Sequence, residues 1–471
     1  MAQRAPTLVA RVSVHRLIAA IVVLCLATAP VAHAQTVHFS RLSAQDAAEI
    51  TTAYSDLIEN YYRQLSPRTL VTGARNGMLL ALQHAHVKAP IIAPIFTTNT
   101  TNTNVANIEL SVDRTARRYG SAVSAHELAY AAMVGIMSSV HDPYTVFLNP
   151  KEAAFLFGAL DGGDFGGVGI VIAIDPVTKF LNVQSVVPGS PADHAALQQD
   201  DLITAIDGHS TKGLTIAQSS KQLRGKVGTT VTLTVERGGT MLPAPIRVTR
   251  ATIHQVSVYP RMLPNGIAYV QISIFGRDTG AELTSALAKL KREGMRALIL
   301  DLRENGGGFL TAALSVCSEF IAAGPIVSVE SRGSHIQTYE APNTAIDPLP
   351  LAVLVNGHTA SASEITSGAI QDSGVGVLIG TRTFGKGVVQ QIYPLPDHSV
   401  VKLTTARYFT PNNHDINHKG IQPDITVAFP KTAQFGNPQT DPQLHRAISL
   451  VTFELSHRPT PAPTKNGGIR L

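Results

Sequence analysis

Two short apolar runs constrain this chain more than anything else in it. Ala297–Leu302 is apolar except for Asp301, and Leu351–Val355 has no polar residue at all. Both are too short for a helix and neither alternates, so each reads as a strand buried on both faces. Gly306–Gly308 follow shortly after the first run, and Gly357 and the small residues Thr359–Ser361 after the second. An apolar stretch with helical spacing then runs from Phe309 to Ile321 after the first, and a helix opens near Ser361 after the second. Ile267–Phe275 precedes them as a strand, and Leu283, Leu287 and Leu290 share one helical face. Thr279 and Glu282 have the spacing of a capping box. Val375–Ile379 and His398–Thr405 are later strands. Strands alternating with helices predict a mixed α/β core.

The grammar upstream differs. Residues 41–90 are periodic, with Ile50, Tyr54, Leu57, Tyr61 and Leu65 at three- and four-residue steps, and a second helical stretch covers 124–140. Between them Thr97–Asn104 reads as a polar low-complexity loop. Residues 74–79 and 131–137 are weakly alike, which predicts two similar helices. From about 156, short strands (Val168–Ile174, Leu181–Val187, Leu202–Asp207, Thr230–Glu236) are punctuated by glycine turns. The expected organisation is 1–34 leader, 35–155 helical region, 156–245 β-rich module, 246–430 α/β core, and 431–471 C-terminal helix and loose tail.

Residues 1–34 have the form of an export signal. Arg4, Arg11 and Arg16 precede an uncharged run, and Ala32-His33-Ala34 gives the small-x-small pattern of a cleavage site. An uncleaved anchor is the alternative, and membrane contact is expected only in that case. The segment holds three of the 38 basic residues and none of the 33 acidic ones. The remainder is nearly balanced, at 35 against 33. No nucleic-acid partner is called for. Without the leader one cysteine is left, Cys317, read as buried and structural.

Three segments carry the types of residue that chemistry needs. Asn356–Glu364 joins a buried strand to a helix start. Its small neighbours leave Ser361 approachable, and the Ala362 N–H is a natural donor to an oxyanion. The plain alternative is that Ser361 or Ser363 caps the helix. Thr383–Gly387 places Lys386 between glycines. As a base it must be neutral, which burial can bring about, and Gln390 is positioned to hold its amine. The alternative is a solvated turn lysine. Asp301–Gly308 ends in three glycines, a backbone nest for an anion that lacks the Lys-Ser/Thr of a phosphate loop. His358 is a weaker candidate base. Ser399 and Lys402 are discounted because a strand would point them to opposite faces.

Taken together and in this order, these three segments resemble the C-terminal-processing (tail-specific) serine peptidases, S41-type. The resemblance implies Ser361 as nucleophile, Lys386 as general base and Gln390 as its orienting partner. It also implies an oxyanion hole from Ala362 and Gly307, with Gly306 and Gly308 as the alternatives for the second donor. Asp142–Thr145 and Gly420–Ile425 extend the likeness. Pro188–Ala192, Asp201–Ile203, Ile206–Gly208 and Leu223–Thr229 resemble a PDZ domain. Within it Gly166, Gly167, Val168, Gly169 and Ile170 are the expected carboxylate loop and peptide-binding strand.

The fold expected is therefore an α/β peptidase core with an inserted PDZ-like domain and a helical N-terminal region. The expected activity is endopeptidase cleavage near accessible protein C-termini, in the periplasm or outside the cell, with no cofactor or metal. A homo-oligomer or an activating partner is compatible with it. The alternative is a catalytically silent PDZ-bearing envelope adaptor.

Overall fold

The computed structural model describes residues 41–457 apart from 161–164, 176, 188, 254–255, 334, 343–346, 431–432 and 434. The expected leader and the tail beyond His457 lie outside the described residues. The chain forms two compact units. One takes in the chain up to Ala153 with Glu330–Ile336 and Val388–Arg407. The other holds Ala154–Val329, Gln337–Gly387 and Tyr408 onward.

The first unit is built on four helices: α1 (Ala44–Asn60), α2 (Pro67–His84), α3 (Thr101–Tyr119) and α4 (Ala125–Ser138). Helix α1 starts where the Ser43 hydroxyl accepts the Asp46 N–H at 3.0 Å. It buries Ile50, Ala53, Tyr54 and Leu57, the stripe that the spacing predicts. Helix α4 opens with a capping box: the Glu127 N–H reaches the Ser124 hydroxyl, and the Glu127 carboxylate accepts the Ser124 N–H at 2.8 Å.

The likeness of 74–79 to 131–137 has a packing cause, because α2 and α4 cross through glycines. A Cβ on Gly77 would lie 2.0 Å from the Ala131 carbonyl oxygen, and one on Gly135 would lie 2.2 Å from that of Gly73. The polar reading of Thr97–Asn104 needs correction, since α3 begins at Thr101. Val105, Ile108, Val112 and Ala116 bury at helical spacing. Asn104 is buried too: its oxygen accepts the Thr98 N–H at 2.7 Å and its amide donates to the Thr98 carbonyl at 2.9 Å. The low-complexity tract is thus a fastened helix start.

A hairpin, Val388–Pro394 against Val400–Phe409, contributes Leu395, Val401 and Leu403 to this helical core. Val146–Leu148 pairs on the other side of its second strand.

In the second unit, Ile170–Ile174, Leu181–Val186, Leu202–Ile206 and Thr230–Arg237 follow one another across an antiparallel sheet. Leu181, Val183, Ile203, Val231, Leu233 and Val235 fill its core. Ile170–Ile174 is an edge strand, with helix Ile216–Leu223 beside it.

The rest of this unit is a six-stranded sheet in the order β1 (Val258–Leu263), β2 (Ile267–Ile272), β3 (Ala297–Asp301), β4 (Leu351–Val355), β5 (Val377–Gly380), β6 (Ile425–Thr426). All neighbours from β2 to β6 pair in parallel, and β1 is antiparallel. Every residue of β3 and β4 is buried, as their unbroken apolarity requires. Ile299, Ala352 and Leu354 pack on one face with Leu444, Ala447 and Val451 of helix Pro442–His457.

The expected capping box at Thr279 does not form. The helix begins at Thr279 itself, whose hydroxyl accepts the Gly276 N–H at 2.8 Å. Glu282 instead accepts from Ser257 and Val258 at the head of β1. Tertiary donors outbid the local one. Among the described residues no helix is long and apolar enough to cross a membrane.

Candidate active site

The sequence after β4 turns sharply into helix Ala362–Asp372. Ser361 stands at the turn with φ 57° and ψ −117°. A non-glycine residue in that region costs on the order of 1–3 kcal/mol and persists only where its surroundings impose it. The turn is built to do so. The Thr359 hydroxyl donates to the Leu302 carbonyl at 2.9 Å and accepts the Asn356 N–H. The Ala360 N–H and the Ser363 hydroxyl both donate to the Asn305 carbonyl at 3.0 Å. Ser361 and Glu364 face each other as in a capping box, with the Glu364 N–H donating to the Ser361 carbonyl at 2.8 Å. The side chain is half-buried and the Ala362 N–H has no acceptor among the described residues.

Glu364 organises the site. Its carboxylate is fully buried. One oxygen accepts the Ser361 N–H at 3.0 Å and the Lys386 N–H at 2.8 Å. The other accepts the Thr383 hydroxyl at 2.6 Å and the Gly385 N–H at 2.7 Å. Four donors hold a group whose pKa burial nevertheless raises. One side chain thereby clasps the serine turn and the lysine loop. The Phe384 N–H adds a bond to the Thr359 carbonyl, and Gly385 sits at φ 87° against the Gly420 backbone. Tyr408 completes the serine turn, its hydroxyl donating to the Ser361 carbonyl at 3.2 Å.

The glycine loop is anchored from below. Arg303 is 2% exposed and donates to Asp301 at 2.6 Å and to Asp441 at 2.7 Å, while the Tyr269 hydroxyl donates to Asp301. The Asn305 side chain bonds the Ile272 carbonyl and accepts the Gly307 N–H at 2.9 Å. The Gly307 amide is therefore engaged within its own loop, whereas those of Gly306 and Gly308 have no acceptor among the described residues. Gly307 adjoins the serine, because a Cβ there would lie 2.7 Å from that of Ser361 and 2.9 Å from the Ala362 nitrogen. Strand ends, a strained serine, a lysine loop and unpaired amides at a helix N-terminus make an arrangement suited to acyl transfer.

Comparison with known proteins agrees. Residues 266–427 match the family model for peptidase family S41, and 168–248 match that of a PDZ domain. A carboxyl-terminal-processing protease from a Picosynechococcus species is 37% identical over 329 residues, covering 69% of this chain and 79% of that protein. One from Synechocystis is 34% identical over 345 residues, covering 72% and 80%. A solved photosystem II D1 C-terminal processing protease covers 82% of this chain and 95% of its own, at 26% identity and a TM-score of 0.44. This chain belongs to the carboxyl-terminal-processing proteases of peptidase family S41. It is a serine endopeptidase with protein substrates, built as a mixed α/β core carrying a PDZ domain and a helical N-terminal region.

Other positions of the protease fall as follows. Gln390 lies half-buried in the hairpin of the helical unit, its amide 3.3 Å from the Val388 carbonyl and 3.4 Å from the Thr404 hydroxyl. Within the PDZ domain the Gly166 carbonyl accepts the Gly225 N–H at 2.9 Å, and a Cβ on Gly166 would lie 1.9 Å from the Gly225 oxygen. Gly166 is a packing glycine. Gly167 pairs with Ala251, Val168 is buried, and Gly169 turns at φ 83° into the edge strand that Ile170 opens.

His358 is exposed and its ring pairs with Glu304 at 2.9 Å. Ser399 is buried and bonds Asp397, while burial lowers the pKa of Lys402, with Asp142 opposing; neither serves an open site. Cys317 is fully buried and its thiol is pushed up to about 12 by desolvation, so it is inert. Local sequence assigns no role to Glu364 or Arg303. An acid three residues after a candidate nucleophile, at a helix start, was the available signal.

Proposed function

We propose that this protease is exported, that it recognises polypeptides near their C-termini, and that it cleaves them through a Ser–Lys acyl-enzyme. The single observation that carries the catalytic part is the Glu364 oxygen shared by the Ser361 and Lys386 N–H groups. It supports assigning these two segments to one reaction centre. Ser361 attacks the peptide carbonyl while the neutral amine of Lys386 takes its proton. That proton then passes to the leaving amine, and water enters the same way to release the acyl group. The Ala362 N–H and an amide of the 306–308 loop stabilise the oxyanion. If Gly307 serves, its N–H must leave Asn305. Gln390 orients the lysine amine.

Substrate capture rests on the exposed edge of Ile170–Ile174, where an extended peptide adds as a strand with its carboxylate at the Gly166–Gly169 loop. Export rests on the sequence pattern of residues 1–34. The test is cleavage of an unstructured protein by the chain from Gln35, beside Ser361→Ala and Lys386→Ala. Turnover only in the unsubstituted protein, with all three folded, is expected. Full activity in Lys386→Ala overturns the base assignment. A folded protein that cleaves nothing yet binds C-terminal peptides is an adaptor.

A further inference from the structure

We propose that an open cleft in the helical unit is a second carboxylate-binding subsite for the polypeptide substrate, apart from the PDZ edge strand. The proposal rests on the protease reading above. The cleft has a volume of about 770 Å3, and Arg63, Arg332 and Arg407 line it against one carboxylate, Glu330. These guanidinium groups are set by the fold. Arg332 donates to the Ile58 carbonyl at 2.8 Å and to that of Glu59, at the C-terminal end of α1. The carbonyls there carry partial negative charge, which both positions Arg332 and offsets it. The Arg63 guanidinium lies over the Tyr62 ring, 4.6 Å from its centre. Arg407 is half-buried in the hairpin and pairs in register with Val388.

Excess positive charge in a concave wall concentrates the field and attracts anions. The planar fork of arginine matches a carboxylate with two parallel bonds. Tyr62 and Asn99, also in the lining, add neutral polar groups. The connection to substrate comes through the chain itself. Val388, opposite Arg407, follows Lys386 by two residues, and the residue after Arg407 is Tyr408, which bonds the Ser361 carbonyl. The carboxylate has two possible sources, an Asp or Glu side chain of the substrate or a chain terminus.

The experiment measures peptide binding to the full-length Ser361→Ala protein, with and without Arg63→Gln and Arg407→Gln. Arg332 is left intact because its bonds close α1. Three peptides share one core: an amidated peptide with two Asp, its amidated Asn twin, and the Asn peptide with a free terminus. Circular dichroism and melting confirm the fold.

Loss of about tenfold in affinity for the Asp peptide but not its twin supports the subsite and assigns side-chain carboxylates. The same loss confined to the free-terminus peptide supports it and assigns the terminus. Partial recovery with Arg63→Lys strengthens either result. Equal weakening of all three peptides, or none, overturns it. Cleavage of the Asn peptide by the unsubstituted protein is read separately. If it fails while carboxylate-dependent binding persists, the protease reading falls and the subsite stands.

Discussion

Two buried glutamates divide the molecule. Glu364 in the unit that holds Ser361 and Glu49 in the helical unit are both fully excluded from solvent. Four donors converge on Glu364, whereas among the described residues neither Glu49 oxygen makes a bond of full hydrogen-bond geometry, and the Gln45 side chain gives it only partial support. Burial raises the pKa of both, and at Glu49 the Asp397 charge adds to it. A buried carboxylate with a full set of donors can hold its charge and organise the backbone around it. One with so little support loses more on ionising, so its pKa rises. The unit that holds Ser361 spends its polar groups on fixing a strained turn. The helical unit relies on close apolar packing and carries its acid as a passenger.

The largest expected effect is at Glu364. Glu364→Gln replaces an acceptor oxygen by a donor in front of N–H groups. It should destabilise the fold by about 2–4 kcal/mol and abolish turnover, as read by denaturant unfolding and peptide hydrolysis. Wild-type turnover in this variant would break the contrast. Next is Gly77→Ala, whose added methyl meets the Ala131 carbonyl at 2.0 Å. Overpacking of that crossing should cost about 2–3 kcal/mol, seen as an earlier melting transition, while Gly158→Ala, at a helical glycine with nothing within 4 Å, should not lower the melting temperature.

Smaller still is Ser361→Gly. It relieves the strain at φ 57° and should stabilise the protein by about 1 kcal/mol while removing activity; a lower melting temperature would show that the turn is not strained. The smallest is Glu49→Gln. A carboxyl whose folded pKa lies above its unfolded value of ~4.3 contributes stability that is complete below that value. The contribution is lost as pH rises through the folded pKa. Alongside burial, the charges of Asp397 and Asp46 raise the Glu49 pKa further, while the Gln45 side chain and His126 lower it. Wild type should therefore lose melting temperature relative to Glu49→Gln as pH rises from about 4. Parallel curves would mean that Glu49 ionises without cost.

The same contrast shows what could be read in advance. The buried strands β3 and β4 and the α1 stripe were legible because burial on two faces or one leaves an unmistakable apolar period. The Thr/Asn tract and the Thr279 cap were misjudged because local composition does not reveal where a side chain finds its partner. Asn104 turned inward to Thr98, and Glu282 went to Ser257, 25 residues upstream.

By itself, the sequence determined the order of structural grammars, the mixed α/β class, and the serine, lysine and glycine segments. Each of these depends on residues close together in the chain. Only the tertiary structure decided that Glu364 joins the serine turn to a loop 22 residues away, that the Gly307 amide is already engaged, and that Arg303 reaches Asp441 across 138 residues. Such bonds are made between elements that packing brings together, and their energy depends on burial that no local pattern records.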